Sequence, residues 1–451
     1  MLYILLDLLI FCLDNSNIAT KQASDMATFK PQTPEDWSAV RSDITEAFSP
    51  GAPVQEKDLF SGRTAQIAAL TDAVSQRGRH AVVYGERGVG KTSLVNILSL
   101  VMHRPNKELI YVRVNADPGD SFTSLWRKVF KRLTYGITTP DGISATKKLA
   151  DDFSSDMSPD DIQLVLSEFS SNHTPIIVLD EFDRIKDQAT VHLIADSIKS
   201  LSDYSVNATV VIVGVAEDIS TLIRGHESVT RALIQIPMPR MSAAEVKQLV
   251  LTRYTRCGLV TDNDAVWKIV FLSRGLPYYA HLIAMNAARY SIDNKKVTVK
   301  HQDVDKALEA SISELDQSIK EKYVMATKSQ RGDDTLYPSV LLACAFAITD
   351  ELGRFQQSAV ALPLNKILPE KNYQPSTFAL HMNAFCEDER GRVLQRFGTA
   401  RNYRYRFSDP VMQPFVILKG LNEGRITDQI AEIFSTKSQL EMNFPSEPEP
   451  R

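Results

Sequence analysis

The chain is poor in cysteine. Four occur in 451 residues, at Cys12, Cys257, Cys344 and Cys386, and no two have the C-x-x-C spacing of a zinc or redox site. The eight histidines form no H-E-x-x-H pair. A disulfide framework and the common zinc-protease motif are thereby excluded, and the thiols read as buried side chains of a reducing compartment. The apolar stretch MLYILLDLLIFCLD at the start is interrupted by Asp7 and falls short of the about 20 residues that span a bilayer. It lacks the basic flank and small-residue cleavage site of a secretory signal. Met26 opens a polar stretch that reads like an ordinary start. Residues 1–25 are therefore expected to be a peripheral or misassigned extension, and the protein cytoplasmic with no membrane partner. A large charge excess is missing too. The net charge of −4 does not announce nucleic acid, although a local basic patch would not show in that sum.

What is present is ordinary globular composition, 43% hydrophobic and 24% charged, at a length that suits two to four domains. Thr33 and Pro34 open a short amphipathic helix, and SPGAPV after it is a linker. Then HAVVYG (80–85), LIYVRVN (109–115), PIIVLD (175–180) and ATVVIVGVA (208–216) follow as apolar, β-branched runs separated by helical stretches. Such runs suit strands covered on both faces, and their alternation with helices predicts a parallel α/β sheet. After PMPRMS (237–242) the strand signal stops and helices continue to about residue 313. Two more helical stretches, PSVLLACAFAITDEL and PSTFALHMNAFCEDE, precede a strand–turn–strand at 391–410, which is the element order of a winged helix. The tail FPSEPEPR has the composition of a disordered segment.

Two motifs carry chemistry. GERGVGKT (85–92) matches G-x-x-x-x-G-K-[ST] between a strand and a helix. Glycines let backbone N–H groups curl around phosphate oxygens, and the helix start adds its positive end. Gly85, Glu86, Arg87, Gly88, Val89, Gly90, Lys91, Thr92 and the following Ser93 are expected to line the phosphates of ATP, with Lys91 at the β- and γ-phosphates and Thr92 on Mg²⁺. The second motif, VLDEFD, ends an apolar strand with two carboxylates at the sheet edge where ligands bind in open α/β sheets. Asp180 would hold the magnesium through water, and Glu181 would orient the attacking water.

With both motifs in place, the chain resembles AAA+ ATPases of the replication-initiator (origin-recognition) clade, and the related STAND signalling NTPases. LFSGRTAQIAALTDAV is similar to the clade's F-x-G-R box, which implies that Phe60, Gly62 and Arg63 line the adenine–ribose side. LDEFDRI looks like the clade's second acidic motif, and HQDVDKALEAS like its last lid helix. GHESVTRALIQIPMPRMSAAEV resembles the segment that carries an arginine finger, which implies Arg231, acting on a neighbouring copy. The resemblance covers about residues 58–313 and departs at two places. Ala216 and Glu217 stand where the clade's sensor-1 position carries Asn, Ser or Thr. Tyr278 stands where its sensor-2 arginine belongs, and RGLPYY is instead similar to the STAND G-x-P, which implies Pro277 near the adenine. Arg274 is weighed as a substitute for that arginine against a helix-capping or surface role.

The resulting expectation is a P-loop NTPase (AAA+) parallel-sheet core with a helical lid and a C-terminal winged-helix domain. The boundaries are 1–25 for the extension, 26–57 for an N-terminal helix and linker, and 58–240 for the core. The lid takes 241–315, the winged helix 316–425, and a last helix with its tail 426–451. Six arginines lie within the 17 residues from Arg390 to Arg406. Of these, Arg392, Arg396, Arg401, Arg404 and Arg406 are the candidates for DNA phosphates. A solvated strand face or a protein contact are the alternatives, and the helix before the hairpin carries only Asn383 suited to base edges. The expected function is slow ATP hydrolysis as a conformational switch, with ATP or ADP and Mg²⁺ bound. Its partners would be DNA, further copies of the chain or a protein effector. The alternative is a STAND-like switch whose C-terminal module binds a protein.

Overall fold

A computed structural model describes residues 31–50, 63–101, 108–138, 144–148, 156–169, 173–216, 229–328, 336–350, 353–399 and 402–435. The extension, most of the linker and the acidic tail lie outside them. The chain divides into two compact units: Ala52–Pro239, and Met1–Gly51 together with Arg240–Arg451. Helix α1 (Pro34–Ala47) comes first in the chain and belongs to the latter.

The unit Ala52–Pro239 is built on a parallel sheet. Its elements are α2 (Thr64–Ser75), β1 (His80–Gly85), α3 (Lys91–Val101), β2 (Glu108–Asn115) and α4 (Phe122–Phe130). A short antiparallel pair follows, β3 (Thr134–Thr138) with β4 (Ser144–Lys148). Then come α5 (Pro159–Ser167), β5 (His173–Asp180), α6 (Gln188–Asp203), β6 (Thr209–Val215) and β7 (Leu233–Pro237). The strand order is β2–β5–β6–β1–β7, all parallel. The apolar runs of the sequence are its central strands. Ile176, Ile177, Val178 and Leu179 of β5 are fully buried, and each contributes on the order of 1.5–3 kcal/mol by leaving water. Capping boxes start α4 at Ser121 and α5 at Ser158, where side chains satisfy backbone donors that the first helical turn leaves free. The β3–β4 pair stands where the sequence predicts only helical stretches between the apolar runs. Its strands carry Gly, Ser and Lys among the β-formers, so no apolar alternation marks them.

The other unit contains α1 and three groups of elements. The first group is helical: α7 (Ala243–Arg256), α8 (Asn263–Ser273), α9 (Pro277–Asp293), α10 (His301–Lys306) and α11 (Leu308–Ser313). Two two-residue strands pair beside it, β8 (Val260–Thr261) with β9 (Thr298–Val299). Helix α12 (Gln317–Thr327) follows. Then come α13 (Leu336–Phe346), β10 (Phe355–Gln356), α14 (Ser358–Ile367), α15 (Pro375–Ala384), β11 (Leu394–Phe397) and β12 (Arg404–Phe407). The last three strands form an antiparallel sheet in the order β10–β12–β11. Helices α16 (Met412–Asn422) and α17 (Asp428–Ser435) close the described chain.

Polar groups tie the unit together. The buried Arg253 of α7 donates to the carbonyl of Ala47 at the end of α1, at 3.0 Å. Tyr279 of α9 donates to the carbonyl of Val411 at 2.6 Å, and Arg240 to Gln413 at 2.7 Å. Each bond spans a long sequence separation, so the helical group and the C-terminal elements are one packed body. Among the described residues no helix is long and apolar enough to cross a membrane.

Candidate nucleotide site

The site forms where β1 stops. Gly85 has φ 152°, and a Cβ there would meet the carbonyl of Met238 at 2.3 Å. Only glycine lets the chain leave β1 beside the end of β7, where Met238 N–H bonds Tyr84 O at 2.7 Å. Gly88 and Gly90 also have positive φ, 85° and 96°. The loop therefore turns in conformations that L side chains avoid, and α3 begins directly at Lys91. Val89 is buried and anchors the loop, Arg87 is exposed, and Glu86, Thr92 and Ser93 are half-buried.

The ammonium of Lys91 lies inside the loop and donates to the carbonyls of Gly85 (3.0 Å) and Glu86 (2.8 Å). Burial pushes its pKa down to about 8, against the opposing pull of Asp183, Asp180 and Glu86. Its hydrogen bonds go to neutral carbonyls and burial outweighs the nearby carboxylates, so a phosphate would stabilise the ammonium form. Thr92 donates its hydroxyl to Asp180 Oδ2 at 3.0 Å. Asp180, at the end of β5, is 3% exposed, and burial raises its pKa while hydrogen bonds from Thr92 and Glu181 N–H oppose the shift. A hydroxyl and a carboxylate at this spacing form the hard oxygen set that Mg²⁺ takes. The residues present thus fit both ATP phosphates and magnesium.

Glu181 follows in a left-handed conformation, φ 56°, which turns the chain out of the sheet. Its carboxylate is half exposed and accepts from Arg184 at 2.6 Å. Asp183 accepts from Val215 N–H at 2.7 Å and ties this turn to the end of β6. Ala216 follows there, half-buried and apolar, and Glu217 lies outside the described residues. Arg63 is 4% exposed at the start of α2, with φ 63°, and donates to the carbonyl of Pro239 at 2.6 Å. Phe60 and Gly62 lie outside the described residues.

Arg231 ends a 3₁₀ turn, Val229–Arg231, just before β7. It is exposed, and its carbonyl accepts from Arg79 at 2.9 Å. That places it by the N-terminal ends of β1 and β7, whereas the glycine loop follows the C-terminal end of β1. Lys91, Thr92 and Asp180 thus converge, Glu181 is held beside Asp180 through its backbone N–H, and Arg231 does not join them within one chain.

Pro277 begins α9 in the other unit. The turn before it is built on Gly275, whose φ is 73° and whose Cβ would fall 2.4 Å from Met241 O. Met241 N–H also bonds Gly275 O at 2.8 Å. Arg274 caps α8, but it is not a surface side chain. Its guanidinium lies over the rings of Phe271 and Phe346 and donates to Ala345 O at 2.9 Å. Burial lowers its pKa to about 10.

The hairpin arginines are engaged within the chain. Arg392 pairs with Asp388 (3.0 Å) and Arg404 with Asp350 (2.6 Å). Arg396 donates to Asn383 (3.0 Å) and Arg406 to Gln395 (3.1 Å). Arg390 is buried and donates to the carbonyls of Ala326 and Lys328, so it is a structural clamp. Arg401 lies outside the described residues.

Among the described residues, His301, Asp305 and Asp428 form a cluster of metal-ligand side chains. Its centre is taken by the buried ammonium of Lys268, which contacts Asp305 and lies 2.7 Å from Asp428. The cluster is therefore an ion-pair knot.

Among solved structures, ORC2 of Aeropyrum pernix, in ADPNP–ADP complexes, is 13% identical over 88% of this chain and 98% of that one, with a TM-score of 0.46. ORC1 of the same organism, in complex with DNA, is 14% identical over 84% and 96%, with a TM-score of 0.45. The Walker-type ATPase PABY2304 of Pyrococcus abyssi is 12% identical over 81% and 98%, with a TM-score of 0.47. Likeness at this level says nothing of activity. No curated protein matches the chain significantly. Residues 59–212 match the family model described as AAA ATPase domain, and the five-stranded parallel sheet that carries the 85–92 loop is a P-loop AAA+ fold.

Proposed function

We propose that the protein binds Mg²⁺–ATP and hydrolyses it slowly, as a conformational switch. The observation that carries this reading is the convergence of Lys91 in its glycine loop with the Thr92–Asp180 pair at 3.0 Å. Lys91 would neutralise the β- and γ-phosphates, and the loop N–H groups would hold their oxygens. Thr92 and Asp180 would hold Mg²⁺, which when bound supplies charge neutralisation of the phosphates. Glu181 would accept a hydrogen bond from the attacking water and aim it. Slowness is supported by Arg184, which engages Glu181 at 2.6 Å, and by the uncharged Tyr278 at the sensor-2 place of the resemblance. Arg63 and Phe60 are proposed to frame the adenosine. Arg231 is proposed to serve a neighbouring copy, because it stands at the far ends of the strands from its own loop. The test is nucleotide binding and turnover. Lys91→Ala should abolish binding, and a variant that still binds ATP with wild-type affinity defeats the reading. Arg231→Ala should lose turnover, and turnover per chain should rise with protein concentration; a flat dependence counts against an oligomer.

For the C-terminal elements, the order helix–strand–helix–helix–strand–strand with a β10–β12–β11 sheet supports a winged helix. Its basic hairpin is proposed to contact DNA backbone with little base readout. Titration of labelled duplex should show binding that weakens steeply with salt. The intramolecular partners of Arg392, Arg396, Arg404 and Arg406 favour a second reading, in which the module docks a protein. The exposed Leu380 of α15 (79%) fits that role better than it fits a DNA groove. Absence of duplex binding at low salt removes the DNA reading.

A further inference from the structure

Arg113 of β2 is opposite Val178 in the parallel register, and Asn115 is opposite Asp180. Residues two apart on a strand share a face, so Arg113 is a diagonal neighbour of Asp180 on the side where α3 packs. Its guanidinium is used twice. Nη1 donates to Asn96 Oδ1 at 2.6 Å, and Nε lies 3.8 Å from Asp180 Oδ2. Asn96 sits on α3 four residues after Thr92, one helical turn along the same face. The oxygen that Nε faces is the one that accepts from Thr92. A closed frame results, running from Thr92 to Asp180, across to Arg113, to Asn96, and back along α3.

We propose that Arg113, anchored by Asn96, is a positioning residue that holds the Asp180 carboxylate in its metal-binding orientation. This inference rests on the reading of Asp180 and Thr92 as the magnesium pair. Asp180 is nearly fully buried and cannot be steadied by water, so its rotamer depends on the groups that face it. Thr92 N-terminal on α3 and Glu181 N–H each hold one oxygen. Arg113 supplies the compensating charge from the adjacent strand, at 28% side-chain exposure, and Asn96 keeps that charge from swinging to solvent. The arrangement leaves the Thr92 hydroxyl oxygen with lone pairs for a cation while its proton stays on the Asp180 bond. Outer partners of this kind tune metal affinity without touching the metal.

The experiment measures binding of a ribose-labelled fluorescent ADP as Mg²⁺ is titrated, so no turnover is needed. In wild-type protein, Mg²⁺ should strengthen binding over that in EDTA. Arg113→Ala should raise the Mg²⁺ concentration for half effect about tenfold, the lower end for loss of an outer-sphere partner. Its affinity in EDTA should stay within twofold. Asn96→Ala should shift Mg²⁺ dependence the same way by less, and the double variant should match Arg113→Ala, because the two residues act as one unit. Arg113→Lys keeps the charge but cannot reach both acceptors with one fork, and should fall between. Because Asn96→Ala and Arg113→Lys are milder, they carry the test if Arg113→Ala folds poorly. Variants with wild-type Mg²⁺ dependence overturn the role of Arg113. So does equal weakening with and without Mg²⁺, which marks a merely structural residue. A wild-type protein whose nucleotide affinity ignores Mg²⁺ overturns the magnesium reading and this inference together.

Discussion

The Thr92 hydroxyl donates to Asp180 Oδ2 across 3.0 Å, joining the first turn of α3 to the end of β5. Residues 88 positions apart thus share one potential cation. Asp180→Asn should remove the Mg²⁺ enhancement of nucleotide binding while leaving binding in EDTA nearly intact. Thr92→Ala should act likewise and also leave a buried carboxylate oxygen short of a donor, at a cost of about 1–3 kcal/mol. Nucleotide titrations with and without Mg²⁺, and urea unfolding, check both.

Glu181→Gln separates binding from turnover. The amide keeps the size and loses the negative acceptor that would aim water. Affinity for ATP should change less than about threefold, while turnover falls by about 10²–10⁴, the range for a positioned acid–base group. Single-turnover hydrolysis checks it, and unchanged turnover removes Glu181 from the site. Arg184→Ala should raise turnover, since it frees the carboxylate that Arg184 engages.

Lys91 predicts a pH dependence of binding. Its pKa in the folded chain is lowered to about 8, mainly by burial, from an ordinary 10.5. Between those values the unfolded chain binds more protons than the folded one, so stability of the nucleotide-free protein rises with pH through that window. Phosphate needs the ammonium form. Nucleotide affinity should therefore fall about tenfold per pH unit above 8, with proton uptake on binding. Calorimetry in buffers of different ionisation enthalpy reads that uptake, and its absence at pH 9 removes the premise of a depressed lysine.

Gly275→Ala should destabilise the unit that contains α9. The position has φ 73°, and a Cβ would sit 2.4 Å from Met241 O. Strained backbone of this kind costs about 1–3 kcal/mol before any clash is relieved. A lowered urea midpoint is expected, whereas Pro277→Ala should cost under about 1 kcal/mol, the order gained by restricting the unfolded chain.

Lys268→Ala should loosen α17. The ammonium is 1% exposed and is shared between Asp305 and Asp428, each near 36–37% exposed. Because the carboxylates keep water contact, the loss should be on the order of 1–2 kcal/mol, below that of a fully buried pair. Hydrogen exchange in 428–435 should rise, and Lys268→Met should restore packing without restoring that protection.

The site was legible in the sequence wherever its chemistry needs a local pattern. The run PIIVLD could be read as a covered strand because all of its apolar residues are buried, and GERGVGKT because three glycines occupy conformations that other residues avoid. Those two patterns carry Lys91, Thr92, Asp180 and Glu181, and the fold brings Lys91, Thr92 and Asp180 to one end of the sheet. The β3–β4 pair was not legible, because two short polar strands leave no periodic signal.

By itself, then, the sequence determined the four apolar strands of the sheet and their alternation with helices, the glycine loop, and the carboxylates at the end of β5. These depend on backbone preference and on burial, which act over a few residues. Only the tertiary structure decided which distant side chains share a charge. Arg113 could not be tied to Asn96 and Asp180 from an isolated strand, nor Lys268 to Asp428 from a helix. Arg274 could be weighed from the sequence as a helix cap, a surface group or a substitute for the sensor-2 arginine, and the fold makes it a cap whose guanidinium reaches Ala345 O between two phenylalanines. Charge pairing across a fold depends on register and packing angle, which no local pattern of residues encodes.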